Sequence, residues 1–370
     1  MKKLALLVGS LMMVGAVAQA KEVVAAPVVI EESKEVIVAP IVIVEEAPVF
    51  RPNGWLKFET KYYGETDRKD VAEYGRVHTE GLVNFTEQDT FEFRVRNYVG
   101  LESFAKQLDP NQVVGSDYTG TRLRYYRNHG TIGDTKVGFK SRIQYENSDG
   151  RGRATIVSPE SPFTYGAGKN NQSVEYRAKL DVTEYVKFDT SLVSLYRLSV
   201  EPRYEYTWLQ NNSAYDNQFG AQFLAGFELP LGLDLNLEID AYQNWLGNGK
   251  LATNKKTGEK EDKYFQIDVL AELTRGFGLY QNGAFSTNLN FMVAVDTWTW
   301  KSKEVIYNDD QVQYSAFFEA DLKNNYKYSD TLNLFAGVIA RYENFTYTNE
   351  STAKDWSWQP QVYAGFKTTF

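Results

Sequence analysis

From Asn53 onward, apolar and polar positions alternate with a period of two. Leu56, Phe58 and Tyr62 alternate with Lys57, Glu59 and Lys61. Phe91, Phe93, Val95, Val99 and Leu101 alternate with Glu92, Arg94, Arg96, Tyr98 and Glu102. Leu233, Leu235, Leu237 and Ile239 alternate with Asp234, Asn236, Glu238 and Asp240. Successive side chains of a strand point to opposite faces, so each segment predicts a strand with one apolar and one polar face. Such segments recur near 54–63, 74–86, 90–102, 118–128, 135–147, 172–184, 196–209, 217–229, 233–246, 263–274, 284–298, 311–323, 331–344 and 358–370. Their length suits tilted strands crossing a bilayer. Their even number suits a single-chain bacterial barrel. The predicted fold is all-β, a transmembrane antiparallel up-and-down barrel of about 14 strands, within a range of about 12 to 16. The alternation blurs between Val182 and Tyr196, where a further hairpin is conceivable.

The connections divide into two kinds. Asp109 to Ser116, Ser148 to Asn171, Gly247 to Asp262 and Phe345 to Asp355 fall in long polar loops, whereas Thr86 to Asp89 and Pro230 to Gly232 are tight turns. Long loops on one side and short turns on the other are the expected asymmetry of an outer-membrane barrel. No fixed repeat of the propeller kind is present. Residues 1–20 have the layout of a secretory signal peptide: Lys2 and Lys3, an apolar run from Leu4 to Val17, and a small-x-small site at Ala18 to Ala20. Residues 21–52 form an Ala/Pro/Val/Glu-rich stretch in which Ala26-Pro27-Val28-Val29-Ile30-Glu31-Glu32 nearly recurs from Ala39 to Glu46. Proline breaks its β-branched runs, which predicts an extended periplasmic lead-in; a plug or a tether is the alternative. The barrel is assigned to 53–370.

With the apolar set turned to lipid, the charged set falls inside. A one-residue slip would put those charges in lipid at about 2–4 kcal/mol per Arg or Lys at mid-membrane, so the register is strongly specified. The inner face then carries a mostly basic wall on the second to sixth strands: Arg76, Arg94, Arg96, Arg122, Arg124, Lys136, Lys140 and Arg142, joined by His78, Arg177 and Lys179 and interrupted by Glu80, Glu92, Glu146 and Glu175. The eighth to twelfth strands carry an acidic wall: Glu228, Asp234, Glu238, Asp240, Asp268, Glu272, Asp296, Glu319 and Asp321, with Lys323 as the one inward base expected there. Opposed walls of charge would set up a transverse field favouring small hydrophilic solutes. The longest loop, 148–171, holds Asp149 and Glu160, which would face the arginines if the loop folds inward; a surface loop is the alternative. Trp55, Tyr62, Tyr63, Tyr204, Tyr206, Trp208, Trp245, Tyr264, Trp298, Trp300, Trp356 and Trp358 lie near strand ends and are expected to form interfacial girdles.

Composition narrows the function classes. Cysteine is absent, which a closed barrel tolerates because every strand is paired on both sides. Aromatic residues make up 15% of the chain, although the mean hydropathy is −0.44. The net charge of −8 argues against a nucleic-acid partner. Only two histidines exist, His78 within a strand and His129 in an expected turn, and neither sits in a catalytic motif, so no enzyme, cofactor or metal is expected.

Several stretches resemble the FomA-type major porin of fusobacteria: RPNG (Arg51 to Gly54), NFTEQ (Asn84 to Gln88), RVRN (Arg94 to Asn97), RLRYYRN (Arg122 to Asn128) and the closing WSWQPQVYAGFKTTF (Trp356 to Phe370). The match is loose over 103–120 and 148–172. The resemblance implies a trimeric, water-filled, non-specific channel and, secondarily, a surface adhesin. The terminal aromatic Phe370 resembles the signal read by the barrel-assembly machinery. The expectation is a general diffusion porin in outer-membrane lipid, passing small hydrophilic solutes and ions; a solute-specific channel or an adhesin is the alternative.

Overall fold

The computed structural model describes residues 50–66, 73–100, 118–150, 171–209, 215–247, 252–253, 257–305, 312–344 and 356–370. The segments expected as signal peptide and lead-in, apart from 50–52, lie outside them. Fourteen long strands follow in order: β1 Asn53–Tyr63, β2 Tyr74–Asn84, β3 Asp89–Gly100, β4 Tyr118–Thr131, β5 Gly138–Gly150, β6 Asn171–Asp181, β7 Ser194–Leu209, β8 Tyr215–Leu229, β9 Leu233–Gly247, β10 Lys263–Asn282, β11 Phe285–Lys301, β12 Val312–Lys327, β13 Leu332–Asn344 and β14 Trp356–Thr369. Each pairs antiparallel with its sequence neighbour. β1 also pairs with β14, Phe58 facing Phe366, so the sheet closes on itself. Closure gives every interior strand backbone group a partner, which is the condition for spanning hydrocarbon.

All fourteen expected strands are present, and their errors are at the ends. β10, β11 and β12 run past the expected 274, 298 and 323 to Asn282, Lys301 and Lys327. The blurred stretch before β7 holds no extra spanning hairpin. It is a short helix, α1, Thr183–Val186, and a two-residue ladder in which Phe188 and Asp189 pair with Leu195 and Ser194. The remaining connections at this end are tight. The first is closed by the Thr86 hydroxyl, which accepts from the Asp89 backbone at 2.9 Å and donates to its carboxylate, also at 2.9 Å. At the other end, three two-residue strands from the β9–β10 and β11–β12 connections, 252–253, 260–261 and 304–305, form a small ladder.

Directly paired residues share a face of the sheet. Following the pairs around the closed ring gives one consistent inner face and one outer face. Leu56, Phe58, Val77, Phe93, Leu123, Ile143, Val174, Phe223, Ile239, Val293, Phe318, Val338 and Val362 all belong to the outer face. Burial is inverted relative to a water-soluble protein. Ile143 and Val362 are each 52% exposed, while Glu175 and Gln359 on the inner face are each 2% exposed. Soluble monomers rarely expose contiguous apolar patches beyond a few hundred Å². An outer belt of this kind suits hydrocarbon, and the inner face provides the polar environment its charges require.

Candidate functional site

Among the described residues, the strands concentrate charge on the inner wall. On β2 to β6, Arg76 stands opposite Lys61 and Tyr98, and Arg94 opposite Glu80 and Arg122. Arg96 faces His78, Arg124 faces Glu92 and Gln144, Arg142 faces Arg177, and Lys140 faces Lys179. On β8 to β12, Glu228 stands opposite Asp234, Asp240 opposite Gln222 and Asp268, and Glu238 opposite Leu224. Glu272 faces Asn236 and Ala294, Glu319 faces Arg341, and Asp321 faces Asn290 and Ile339. Strand order places these two sets on opposite arcs of the ring.

Four expected placements change. Lys136 is not on the wall: β5 begins at Gly138, and Lys136 sits exposed in a turn closed by the Ile132 N–H donating to Val137 O at 3.0 Å. Asp296 falls in a β-bulge between Val295 and Thr297, and its side chain lies outside the described residues. The bulge shifts the parity of β11, bringing Thr299 and Lys301 onto the inner face opposite Asp268 and Gln266. Lys323 is therefore not the lone inward base of that arc. His129 belongs to the end of β4 rather than a turn, with Nε2 2.8 Å from the Ser141 hydroxyl and its ring stacked on Phe139. Asp149 is the penultimate residue of β5, paired with Thr119, but its side chain lies outside the described residues, as Glu160 does entirely.

The girdle also needs correction. Tyr62, Tyr204, Trp245, Trp298 and Trp358 do face outward near the long-loop end. Tyr63 and Tyr264, however, are buried on the inner face, and Trp55 shares the inner parity of Lys57. The pattern near strand ends does not distinguish these cases, since both faces carry aromatics there.

Within the wall, the basic arc is interleaved with glutamates. Glu92 accepts from Arg122 at 2.8 Å, Arg124 at 3.4 Å and the Tyr126 hydroxyl at 3.0 Å, while Arg94 reaches Glu146 at 3.3 Å. Glu175 is held by Arg142 and by Arg177 at 2.9 Å, with Arg203 at 3.8 Å. Arg177 continues the network to Glu201 at 3.5 Å and to Gln222, which donates to Glu238. Arg203 lies 3.9 Å from Asp240 and over the ring of Tyr242 at 4.7 Å. One carboxylate of the acidic arc is held differently. Asp268 accepts from the Tyr242 hydroxyl, from Gln266 Nε2 at 2.9 Å and from Thr299 at 2.5 Å, all neutral donors.

A third arc, on β12 to β1, escaped the sequence reading. Phe317, Phe335, Ile339 and Tyr363 are buried on the inner face. Phe335 and Tyr363 cover Gly365 and Gly337, where a Cβ would come within 2.7 and 2.5 Å of the rings, so glycine is required there. Arg341 stacks over Phe317 at 3.6 Å while pairing with Glu319 at 3.3 Å. The signal available in the sequence was the pair of glycines within otherwise regular strands.

Fold and wall together define a transmembrane β-barrel with a charged interior. No protein-family model and no curated protein matches the sequence. Among solved structures, a bacterial polysaccharide outer membrane secretin aligns at 12% identity, over 86% of this chain and 97% of its own, with a TM-score of 0.37. The KdgM porin in complex with disordered oligogalacturonate aligns at 10% identity, over 85% and 99%, with a TM-score of 0.27. An anion-selective porin from Comamonas acidovorans aligns at 8% identity, over 86% and 99%, with a TM-score of 0.31. The class rests on the strand pairing and burial of this chain rather than on superpositions of that quality.

Proposed function

We propose that the protein is a general diffusion porin of a bacterial outer membrane, forming a water-filled channel for small hydrophilic solutes and ions. The observation that carries this reading is the inverted burial of a closed barrel: an apolar belt outside and dense charge of both signs inside. An eight-strand barrel has an interior just wide enough for side chains, whereas about 16 to 18 strands leave an aqueous channel. Fourteen strands lie much closer to the second case. Interleaved charges of both signs favour polar solutes without a deep preference for either ion. The signal-peptide layout of 1–20 and the resemblance to FomA-type porins point the same way. A homotrimer and recognition of Phe370 by the assembly machinery belong to the proposal, and no catalytic role is assigned.

The test is single-channel conductance of purified, folded protein in a planar bilayer, before and after Arg94→Glu with Arg96→Glu. Large, ohmic, weakly selective steps whose cation preference rises in the variant are expected. Correctly folded protein that never conducts would end the porin reading.

A further inference from the structure

At the short-turn mouth, the arc formed by β12, β13, β14 and β1 departs from the rest of the wall. Lys57 and Lys367 stand directly opposite each other. Lys57 and Lys323 share the ring of Phe335, their ammonium nitrogens 5.7 and 4.9 Å from its centroid. Lys323 lies within electrostatic range of Lys57 and Lys367 and also of the carboxylates of Asp321 and Glu59. Like charges placed opposite one another across a strand pair are unfavourable unless something compensates them.

Nearby carboxylates compensate only in part. Lys57 is held by Glu59 at 3.2 Å and Glu80 at 3.4 Å, and Glu59 is shared with Arg76. Asp321 accepts the Tyr363 hydroxyl on both oxygens, at 2.8 and 3.0 Å. Among the described residues, Lys323 and Lys367 form no ion pair or hydrogen bond. Each is seated on an aromatic ring instead, Lys367 over Trp55 at 4.5 Å. A ring fixes the position of an ammonium group without accepting all of its N–H donors. Two cations are thus positioned on the inner wall beside a third, with donors left for a ligand. Asn333, opposite Lys367, and Asn325, opposite Phe335, add neutral amides on the same face.

We propose that Lys57, Lys323 and Lys367 form a binding site for a phosphate group entering the lumen, either inorganic phosphate or a phosphomonoester. Two ammonium groups on one ring and a third directly across the strand pair from the first offer several donors, which suits a tetrahedral oxyanion with several acceptor oxygens. Lysine ammonium groups bind phosphate as point charges, and a phosphate brings more charge and more acceptor oxygens to three of them than a single carboxylate does. The site deepens the channel reading by naming a solute class that would pause at this mouth, but binding itself requires no conduction.

The test is calorimetric titration of the full-length protein, folded in detergent micelles, with inorganic phosphate and separately with glycerol phosphate. The comparison is with Lys323→Gln plus Lys367→Gln, whose fold is checked by circular dichroism, and with arginine at both positions. Saturable binding by the native protein is expected, weakened at least about tenfold in the glutamine variant and largely retained in the arginine variant. Binding of glycerol phosphate alone would identify the phosphomonoester as the source. Absence of binding by the native protein, or equal binding by the glutamine variant, would overturn the site. Because micelles report binding without current, a barrel that binds phosphate yet never conducts would sink the channel reading and leave the site standing.

Discussion

Two carboxylates on the two arcs of the wall are held in different ways. Glu175, on the basic arc, is buried among Arg142, Arg177 and Arg203, so its charge is needed to cancel theirs. Asp268, on the acidic arc, is held by a tyrosine, a glutamine and a threonine, which stabilise a carboxylate but do not neutralise it. The first carboxylate cancels the charges converging on it, and the second keeps its own charge available to the lumen. Stability and selectivity should therefore respond to different arcs.

The largest effect is expected where a cancelled charge is released. Glu175→Gln leaves three guanidinium groups converging on an amide, and breaking a buried pair typically costs about 3–5 kcal/mol. Urea unfolding of the barrel in lipid vesicles measures it. A loss below about 1 kcal/mol would mean the arginines find other partners at no cost. The matching change on the other arc, Asp268→Asn, keeps the shape and loses charge-assisted hydrogen bonds from neutral groups. About 1.5–3 kcal/mol is expected by the same assay. Equal losses at the two positions would erase the distinction between the arcs.

Selectivity should reverse that order. Glu238→Gln with Asp240→Asn removes charge from the acidic arc and is expected to lower cation preference in a reversal-potential measurement under a salt gradient. Glu92→Gln frees Arg122 and Arg124 from their shared partner and should shift the channel toward anions. A cation preference unchanged by the first variant would locate the ion filter away from the acidic arc.

Alternation made the barrel legible because lipid and lumen impose opposite demands on successive residues. The run Leu233 to Asp240 assigns its own faces, and slipping it would place Asp234, Glu238 and Asp240 in hydrocarbon. Three things interrupted that logic. The bulge at Asp296 changed the parity of β11 and hid Lys301. Gly138, lacking a side chain, let the polar spacing of Lys136, Lys140 and Arg142 look continuous across a turn. Phe317, Phe335 and Tyr363 are apolar residues on a polar face, and their reason lies in cross-strand glycines and cations that only pairing brings together. Faces were therefore readable from the chain, whereas partners across strands were not.

Arg96 separates field from framework most sharply. It stands among Arg94, His78 and Gly120, makes no ion pair among the described residues, and its Nε is enclosed without a partner among them. Among the described residues no carboxylate cancels it, so it contributes charge to the lumen but little cohesion to the described wall. Arg96→Gln should leave unfolding within about 0.5 kcal/mol of the native protein, as substitutions away from any network usually do. Its removal should still raise cation preference, because it deletes a positive charge from the inner face. Reversal potential and urea unfolding on the same preparation decide the point. A loss above about 2 kcal/mol with unchanged selectivity would make Arg96 a structural member of the wall and move the source of the field elsewhere.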